Sequence, residues 1–271
     1  MNALASVGSY RTLYGPDDAP TPHITVRGLS KTFQGVVIYD NFNLDIPRGR
    51  FTSVFGPNGC GKSTLINLIA GLIPVDKGEV LFGGKTLAQT RIGYVFQNYR
   101  EALFPWMTAF ANVEYALTLR KVPAKQAKER VNALVERLGV KIDLTRYPYE
   151  MSGGQQQLVS IMRALVVEPE VLFLDEPFSA LDYEMTLFMR DQLQRVFEET
   201  GTTMVLVSHD LEEAVYLADY VLLLSRRPAK IADFPLVPMA RPRHPSTLSD
   251  PDFVELKGRC LETFQREVRK S

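Results

Sequence analysis

The sequence has few of the features that mark secreted, membrane-spanning or nucleic-acid-binding chains. Only two of its 271 residues are cysteines, which is too few for a disulfide framework and typical of a reduced compartment. Lys and Arg together number 31, as do Asp and Glu, so no basic excess indicates nucleic-acid binding. Neither an apolar run of about 18 residues nor a signal peptide is recognisable. We expect a cytoplasmic chain that meets a membrane only through other proteins.

The strongest chemical signal is a glycine-rich turn between a predicted strand and a predicted helix. The β-prone run Phe51–Phe55 leads into it, and a helical pattern from Leu65 to Ala70 follows. Such a turn directs backbone N–H groups into one concavity, where the positive end of the helix dipole favours an anion. Lys62 can then reach the outer phosphates of a nucleoside triphosphate, and the Ser63 hydroxyl can bind Mg²⁺. The predicted triphosphate site comprises Gly56, Pro57, Asn58, Gly59, Cys60, Gly61, Lys62, Ser63 and Thr64.

Two carboxylates follow a second β-prone run, Val171–Leu174. A run that is apolar throughout is typical of a parallel strand covered on both faces, and ligands bind at the carboxyl ends of such strands. Burying two acids there without a cation is costly. Asp175 is therefore predicted to hold Mg²⁺, and Glu176 to orient and polarise the water that attacks the γ-phosphate. Farther along, Asp182 is predicted to cap the helix Tyr183–Glu199.

Three polar features have an ordinary structural explanation beside a functional one. Gln97 ends a predicted strand, where it is either a polar terminus or a side chain that reaches the Mg²⁺ or the attacking water. Ser152 caps a predicted helix whose first residues, Gly153 and Gly154, expose backbone N–H groups; this is either a second anion site or an ordinary capped helix. His209 ends another predicted strand and is either structural or a sensor of the γ-phosphate.

Aromatic residues in two predicted loops also leave two interpretations open. Phe33 lies between two predicted strands, where it either packs on its own sheet or supplies a platform on which an adenine ring stacks. Phe104 and Trp106, the only tryptophan of the chain, precede a predicted helix at Phe110–Arg120. Isolated apolar loop residues of this kind are more often buried than part of an interface. Only the neighbouring motifs distinguish between these interpretations.

Composition divides the chain into a tail, a mixed α/β domain and an extension. Residues 1–22 form a tail without periodicity, and residues 23–230 alternate strand and helix patterns, with a mostly helical insertion at about 99–167. Residues 231–271 start with a basic, proline-rich stretch and end in a predicted helix, Asp250–Arg269. Its apolar residues share one face at helical spacing: Phe253, Leu256, Cys260, Leu261, Phe264 and Val268. We expect this face to pack on the same domain rather than on a regulatory partner.

Taken in order, these motifs resemble those of the ATP-binding subunits of ABC transporters, over roughly residues 24–230. The segment from Gln97 to Thr108, the turn at 225–228 and the stretch Arg241–Arg243 are similar in particular to importers of the nitrate, sulfonate and taurine group. The resemblance implies an α/β fold with a P-loop (RecA-like) core, an antiparallel β subdomain and an inserted α-helical subdomain. It also implies an ATP hydrolase that uses Mg²⁺.

The resemblance implies where ATP binds. Phe33 takes the place of the aromatic side chain that stacks on adenine, residues 56–64 are similar to the Walker A loop, and residues 179–182 to the D-loop, whose Asp182 belongs to the nucleotide site. The signature motif is matched by Ser152, Gly153, Gly154 and Gln155. In the family this motif contacts the ATP held by a second copy, which accounts for an anion site without a lysine of its own.

The resemblance also implies which side chains act on the triphosphate. Glu176 stands in the place of the catalytic acid and Asp175 in that of the Walker B acid. The implied catalytic set is Glu176, His209, Gln97 and Lys62, and the implied metal ligands are Ser63, Gln97 and Asp175. Two residues depart from the family pattern: Met151 replaces a leucine of similar volume, and Leu158 replaces a basic residue, which removes one charge contact.

Members of this family act as dimers with membrane partners. Two copies would hold two ATP molecules head to tail, each between one Walker A loop and the opposing signature helix. The segment Gln97–Asn112 would contact transmembrane permease subunits, with Phe104 and Trp106 lining the groove that receives them. A solute-binding protein would act indirectly, through the permease. The resemblance places the chain peripherally on the inner face of the cell membrane, driving import of a small solute such as nitrate, a sulfonate or taurine.

Soluble ABC-type ATPases that act on nucleic acid share these motifs and form the main alternative. They usually separate the Walker A and signature halves by long coiled coils or zinc insertions, and the stretch between Lys62 and Ser152 is too short for either. The sequence has neither a cysteine array nor a basic excess. A small P-loop kinase, a third class, would leave the signature motif without a purpose. We therefore expect no nucleic-acid partner.

Overall fold

The structure, a computed structural model, describes residues 20–179 and 181–270, apart from the side chains of residues 99 and 100. The predicted tail at 1–22 lies almost entirely outside the described residues. Within the described part of the chain, no helix is both long enough and apolar enough to cross a membrane.

The strands alternate with helices along most of the chain, as the sequence predicts. The strands are, in chain order, β1 (Pro22–Phe33), β2 (Val36–Pro47), β3 (Phe51–Phe55), β4 (Lys77–Phe82), β5 (Ile92–Val95), β6 (Val171–Asp175), β7 (Thr203–Val207), β8 (Tyr220–Leu224) and β9 (Ile231–Asp233). The α-helices are α1 (Lys62–Ile69), α2 (Tyr99–Ala102), α3 (Ala109–Leu119), α4 (Ala124–Leu138), α5 (Gly153–Leu165), α6 (Tyr183–Thr200), α7 (Leu211–Leu217) and α8 (Pro251–Arg269).

The chain divides into two compact units. The first unit contains the described residues of 1–90 and of 201–271, and the second unit contains those of 91–200. The first unit therefore carries the glycine-rich turn and the C-terminal extension, and the second unit carries both predicted acids and the predicted signature motif.

One sheet of the first unit is antiparallel, with strand order β2-β1-β4. Strand β1 lies in the middle: Ile24 pairs with Ile46 of β2 on one side and with Phe82 of β4 on the other. The side chains of Ile24 and Val26, two residues apart, are both buried, because alternate residues of a strand face the same side. This is the antiparallel β subdomain that the resemblance implies.

The other sheet of the first unit is largely parallel and runs in the order β7-β3-β8-β9. Val54 of β3 pairs with Val207 of β7 and with Leu222 of β8, while β9 adds an antiparallel edge. All residues of β3, β7 and β8 are buried, as continuous apolar runs require. Because the three strands are parallel, the segments that follow them start from one edge of the sheet.

In the second unit, β5 and β6 form a parallel pair, with Tyr94 opposite Phe173 and Val95 opposite Leu174. Helix α5 packs against α2, α3 and β5. Helix α4 ends at Gly139, which adopts a left-handed conformation with φ 59°, a geometry that glycine tolerates at little cost.

Helix α8 belongs to the first unit and contacts α7, β8 and β9. The expected packing on the same unit is therefore observed, although the predicted apolar face is wrong in part. Leu261 is 44% exposed, whereas Thr263 and Glu267 are buried. Helical spacing identified the stripe of Phe253, Leu256 and Cys260, but it did not reveal that polar side chains extend the buried face.

The proline-rich stretch before α8 is fixed by two arginines. Arg241 forms an ion pair of 2.9 Å with Asp219. Arg243 is buried, and its guanidinium donates to the carbonyl oxygens of Val215 (3.0 Å), Tyr216 (2.7 Å) and Ala218 (2.7 Å). These carbonyls close helix α7 and lack partners within that helix. The buried arginine therefore acts as a C-terminal cap for α7 and holds the extension on the first unit.

Candidate functional site

The glycine-rich turn joins β3 to α1, and its shape depends on close backbone approach. Gly61, directly before α1, has φ 121°, and a side chain there would come within 2.8 Å of Ile38. A Cβ atom on Gly56 would lie 2.8 Å from the Leu224 carbonyl oxygen. Both positions therefore exclude larger residues. The Tyr39 hydroxyl donates to the Gly61 carbonyl at 3.0 Å and fixes the end of the turn from outside.

The ammonium group of Lys62 lies inside this turn. Its Nζ donates to the carbonyl oxygens of Gly56 at 2.9 Å and Pro57 at 3.3 Å, and the side chain is buried. The positive charge is thus placed where the backbone N–H groups at the start of α1 also favour an anion. The arrangement suits a polyphosphate, as the sequence pattern indicates.

The structure brings His209 to the same place. A cavity of about 840 Å³ is lined by the backbone of Gly56–Cys60, by His209 after β7, and by Arg226 and Arg227 after β8. The two arginines were not predicted as site residues. Their position follows from the strand order, because β8 is parallel to β3 and its carboxyl end opens at the same edge of the sheet. Local sequence patterns do not reveal that order.

Phe33 lies at the end of β1, paired with Val36, rather than in a loop as the sequence suggested. Its ring is 40% exposed, and the Lys31 ammonium lies 5.1 Å from the ring centroid. Lys31 is held in turn by a 2.7 Å ion pair with Asp76. An exposed, positioned ring can serve as a stacking surface, and the adenine platform stays a prediction.

In the second unit, the structure brings Gln97 and Glu176 together. The Gln97 side-chain Nε2 donates to the Glu176 carboxylate at 2.9 Å. Glu176 directly follows β6 and has φ 46°, a backbone conformation that is uncommon outside glycine and recurs at functional sites. The bond and the backbone together fix the direction of the carboxylate.

Asp175, one residue earlier, is buried at the end of β6, where the Tyr94 hydroxyl donates to its carboxylate at 3.4 Å. Burial raises the pKa of Tyr94 well above its ordinary value, and the Asp175 charge adds to that effect. The tyrosine therefore stays a neutral donor. Among the described residues no group of three or more His, Cys, Asp or Glu side chains could hold a metal. A Mg²⁺ held mainly by phosphate oxygens and one carboxylate needs no such group.

Helix α5 begins with the Ser152 cap that the sequence predicts, and Gln155 makes this cap reciprocal. Ser152 Oγ accepts from the Gln155 backbone N–H at 3.3 Å, and the Gln155 side chain accepts from the Ser152 N–H at 3.0 Å. Ser152 is exposed, so this helix start is open to a ligand from outside the chain. The predicted cap is confirmed, and the anion site stays a prediction.

The starts of α5 and α6 are packed closely together. A Cβ atom on Gly154 would lie 2.9 Å from the Met185 side chain and 3.6 Å from that of Leu181. Asp182 caps α6, as predicted, by accepting from the Met185 backbone N–H at 2.8 Å. Residues 181–185 therefore share one surface with the predicted signature motif.

A second cavity, of about 590 Å³, lies within the second unit. Its walls include the aromatic rings of Phe96, Phe104 and Tyr115, with Arg120 and Arg163 as cationic groups. Trp106 is not among these residues; it is 69% exposed, so the burial interpretation does not hold for it, and its place in a groove that receives a permease stays a prediction. Its ring lies 5.4 Å from that of Phe104, at the rim of the same surface.

The loop that carries Phe104 is fixed by Asn112, a buried side chain of α3. The Asn112 amide accepts from the Phe104 N–H at 2.8 Å and donates to the Phe104 carbonyl at 3.0 Å. Arg163 donates to the Ala102 carbonyl at 2.6 Å and lies 5.8 Å from the centre of the Phe104 ring. The cavity around Phe104, called the groove below, is therefore preformed within the second unit.

Both cysteines should be unreactive in the folded protein. Burial raises the pKa of Cys60, and burial together with the Asp233 charge raises the pKa of Cys260 to about 12. At pH 8 the thiolate fraction of Cys260 falls to about one in ten thousand, against about one in four for a free thiol. Ellman's reagent should detect no thiol in the native protein over minutes and both thiols after denaturation. A fast native reaction would contradict this burial.

The chain is similar to known proteins over most of its length. The family model described as "ABC transporter" matches residues 39–179. An uncharacterised ABC transporter ATP-binding protein of Methanocaldococcus jannaschii is 35% identical over 92% of this chain and 93% of its own length. The aliphatic sulfonates import ATP-binding protein SsuB of Bacillus subtilis is 40% identical over 84% of this chain and 88% of its own length. The spermidine/putrescine import ATP-binding protein PotA of Vibrio vulnificus is 38% identical over 80% of this chain, which spans only 59% of that relative.

A solved structure extends the similarity to the fold. The dimeric structure of the ATP-binding cassette MJ0796, in a post-hydrolysis state with ADP and Pi, superposes with a TM-score of 0.71 at 28% identity. It covers 80% of this chain and all of the chain compared. The predicted α/β fold, with a P-loop core and an antiparallel β subdomain, is confirmed.

Proposed function

Because the chain belongs to the ABC transporter family and is an ATP hydrolase, we propose that it is the ATP-binding subunit of a bacterial importer. In this proposal, ATP-driven closure of a dimer is coupled to uptake of a small solute through separate membrane subunits. The observation that carries it is the preformed groove around Phe104, with Trp106 exposed at its rim. An exposed aromatic surface beside a cavity is typical of a site that another protein covers.

Individual side chains take distinct parts in hydrolysis. Lys62 neutralises charge on the outer phosphates, and Glu176 orients and polarises the attacking water, while Gln97 keeps the Glu176 carboxylate in place through their 2.9 Å bond. His209 lies beside the glycine-rich turn, which is called the phosphate loop from here on, and contacts the γ-phosphate. Mg²⁺, bound by Ser63, Asp175 and Gln97 together with phosphate oxygens, would neutralise charge that develops on the triphosphate.

We further propose that two copies bind two ATP molecules between them. The exposed start of α5 offers backbone N–H groups to an anion but carries no lysine, so it fits a phosphate that another copy already holds. Phe33 would stack on the adenine, and Asp182 would contact the nucleotide site through the D-loop. Similar solved cassettes are dimers. Because the bridging charge is lost on hydrolysis, the copies would then separate.

The permease would insert an apolar segment into the groove of the second unit, within the region Gln97–Asn112. This contact places the subunit at the inner face of the cell membrane, and a solute-binding protein would act only through the permease. We propose a solute of the nitrate, sulfonate or taurine group, supported by the identity with the sulfonate relative over most of both chains. ATP-binding proteins for polyamine import and for sulfate import are also among the relatives. Because similar ATP-binding chains serve different solutes, we propose that the permease and the binding protein select the solute.

Replacing Phe104 by alanine should uncouple transport from hydrolysis. We expect the isolated variant to keep its ATPase rate within about twofold, because Phe104 lies outside the phosphate site. Its binding to the permease should fall by about tenfold or more, as for a central aromatic anchor. Copurification with the permease and uptake in proteoliposomes measure the loss; Trp106→Ala should show a smaller effect.

Tyr149→Ala is the matched control for Trp106→Ala, since Tyr149 is an aromatic of similar exposure, 72% against 69%, that does not line the groove. Normal coupling in both the Phe104 and Trp106 variants would refute the groove assignment. ATPase activity stimulated by DNA, without a copurifying membrane protein, would favour the nucleic-acid alternative instead.

A further inference from the structure

We propose that the cavity beside the phosphate loop receives Tyr183 and Glu184 from a second copy of this chain. The C-terminal helix α8 would then form part of the ATP-dependent contact between copies. This inference rests on the dimer proposed above. It gives the C-terminal extension a role in the contact between copies, which none of the nucleotide-binding motifs implies.

The cavity combines cationic and apolar walls. Besides the phosphate loop and His209, it is lined by Arg226 and Arg227 on one side and by Phe264 and Val268 of α8 on the other. Its volume of about 840 Å³ exceeds what one side chain fills. All these residues belong to the first unit. Such walls suit an occupant that carries both an aromatic ring and a negative charge.

The cationic wall is held by a hydrogen-bonded turn. The Ser225 N–H donates to the Lys230 carbonyl and the Lys230 N–H donates to Ser225 Oγ, both at 2.9 Å. The Ala229 N–H donates to the Ile38 carbonyl of β2 at 2.8 Å. A guanidinium nitrogen of Arg227 lies 3.8 Å from the position of a Cβ atom on Gly59. The turn therefore places Arg227 next to the phosphate loop.

The apolar wall is fixed by α8. The Phe264 ring packs on Phe55, the residue before the phosphate loop, with ring centroids 5.1 Å apart. Phe264 and Val268 are both only partly covered by their own chain. They lie one helical turn apart, so their exposed parts form a continuous apolar surface inside the cavity.

The start of α6 carries the matching chemistry. The Tyr183 side chain is 77% exposed, and Glu184 beside it is also exposed. An aromatic ring left in water at the start of a helix is typical of a surface that a partner covers. The Glu184 carboxylate would lie between the two arginines of the cavity, and the Tyr183 ring would lie against the apolar wall.

Packing within the second unit directs these residues toward the cavity of the other copy. The start of α6 lies directly against Gly154 of the predicted signature motif, through Met185. When that motif faces the phosphate loop of a second copy, Tyr183 and Glu184 must approach the surface beside the same loop. Charge complementarity and apolar match then favour the cavity as their binding site.

Charge reversal in the ATP-trapped dimer tests the contact. In a Glu176→Gln background with ATP, sedimentation velocity should show that Glu184→Arg and Arg227→Glu each weaken dimerisation by about tenfold or more. The double variant should recover most of the affinity. Glu129→Arg, at an exposed position of α4, is the matched control and should dimerise like the parent. All the changed positions are exposed, so thermal unfolding should be unaltered.

Chemical crosslinking gives an independent measurement. Tyr183→Cys combined with Val268→Cys should give an interchain product with a short bis-maleimide, and only when ATP is present. The parent, whose two cysteines are buried, should give none. An intrachain product alone would overturn the proposal.

The outcomes separate this inference from the proposed function. If the Glu176→Gln parent does not dimerise with ATP, the proposed dimer fails and this inference fails with it. If the parent dimerises but the single reversals have no effect, only the inference fails. Weakening by Arg227→Glu without any effect of Glu184→Arg would identify the cavity as a site for a small anion and would also overturn the inference.

Discussion

Replacing Glu176 by glutamine should lower the rate of ATP hydrolysis by about a hundredfold or more and leave a dimer that retains ATP. The glutamine amide has nearly the same shape but carries no negative charge, so it cannot polarise the attacking water. Since Gln97 donates to this side chain at 2.9 Å, an amide can still accept that bond through its oxygen. The substitution should therefore slow the hydrolysis step itself, and the affinity for ATP should change little.

Phosphate release measures the rate, and equilibrium binding of a fluorescent ATP analogue measures the affinity. Glu168→Gln is a suitable control, because Glu168 is an exposed glutamate of the same unit that also has a positive φ, 49°. It should hydrolyse ATP at the parent rate. Rapid ATP hydrolysis by the Glu176 variant would show that Glu176 is not the catalytic acid.

Replacing Arg243 by methionine should lower the free energy of unfolding by about 3–5 kcal/mol. Burial lowers the pKa of Arg243 to about 10, so the guanidinium is still charged at neutral pH. Its donors satisfy the carbonyls of Val215, Tyr216 and Ala218. Methionine fills a similar volume but donates nothing, so the hydrogen bonds from the guanidinium to these carbonyls are lost.

Thermal unfolding followed by circular dichroism should show a decrease of about 6–15 °C in the midpoint. Arg259→Met, on the exposed side of α8, changes the same charge without a buried partner and should stay within about 2 °C of the parent. An unchanged midpoint for the Arg243 variant would mean that water or a neighbouring group can replace the guanidinium.

The phosphate loop was predictable because everything it requires is local. Its glycines, its lysine and the flanking strand and helix occupy one short segment, and the spacing alone fixes the geometry. The caps at Ser152 and Asp182 were predictable for the same reason, since a cap joins residues three apart. The antiparallel pairing of β1 with β2 is also local, since only a short turn separates the two strands.

Contacts between distant segments were not predictable. Nothing in the spacing of Gln97 and Glu176 indicates that their side chains form a hydrogen bond. Arg226 and Arg227 lie beside the phosphate loop because β8 pairs with β3, and local sequence patterns do not encode this strand order. For Trp106 the loop composition left burial and exposure both open, and its 69% exposure is set by how the loop packs on the rest of the unit.

The close packing around Gly56 and Gly61 has a consequence for the thermodynamics of binding. The phosphate loop is held by the Leu224 carbonyl on one side and by Ile38 and Tyr39 on the other, so it has little conformational freedom to lose when a ligand arrives. The entropy of ordering the loop has already been spent during folding. The interactions with the triphosphate can then contribute to affinity almost undiminished, and the nucleotide meets a surface that is preorganised for it.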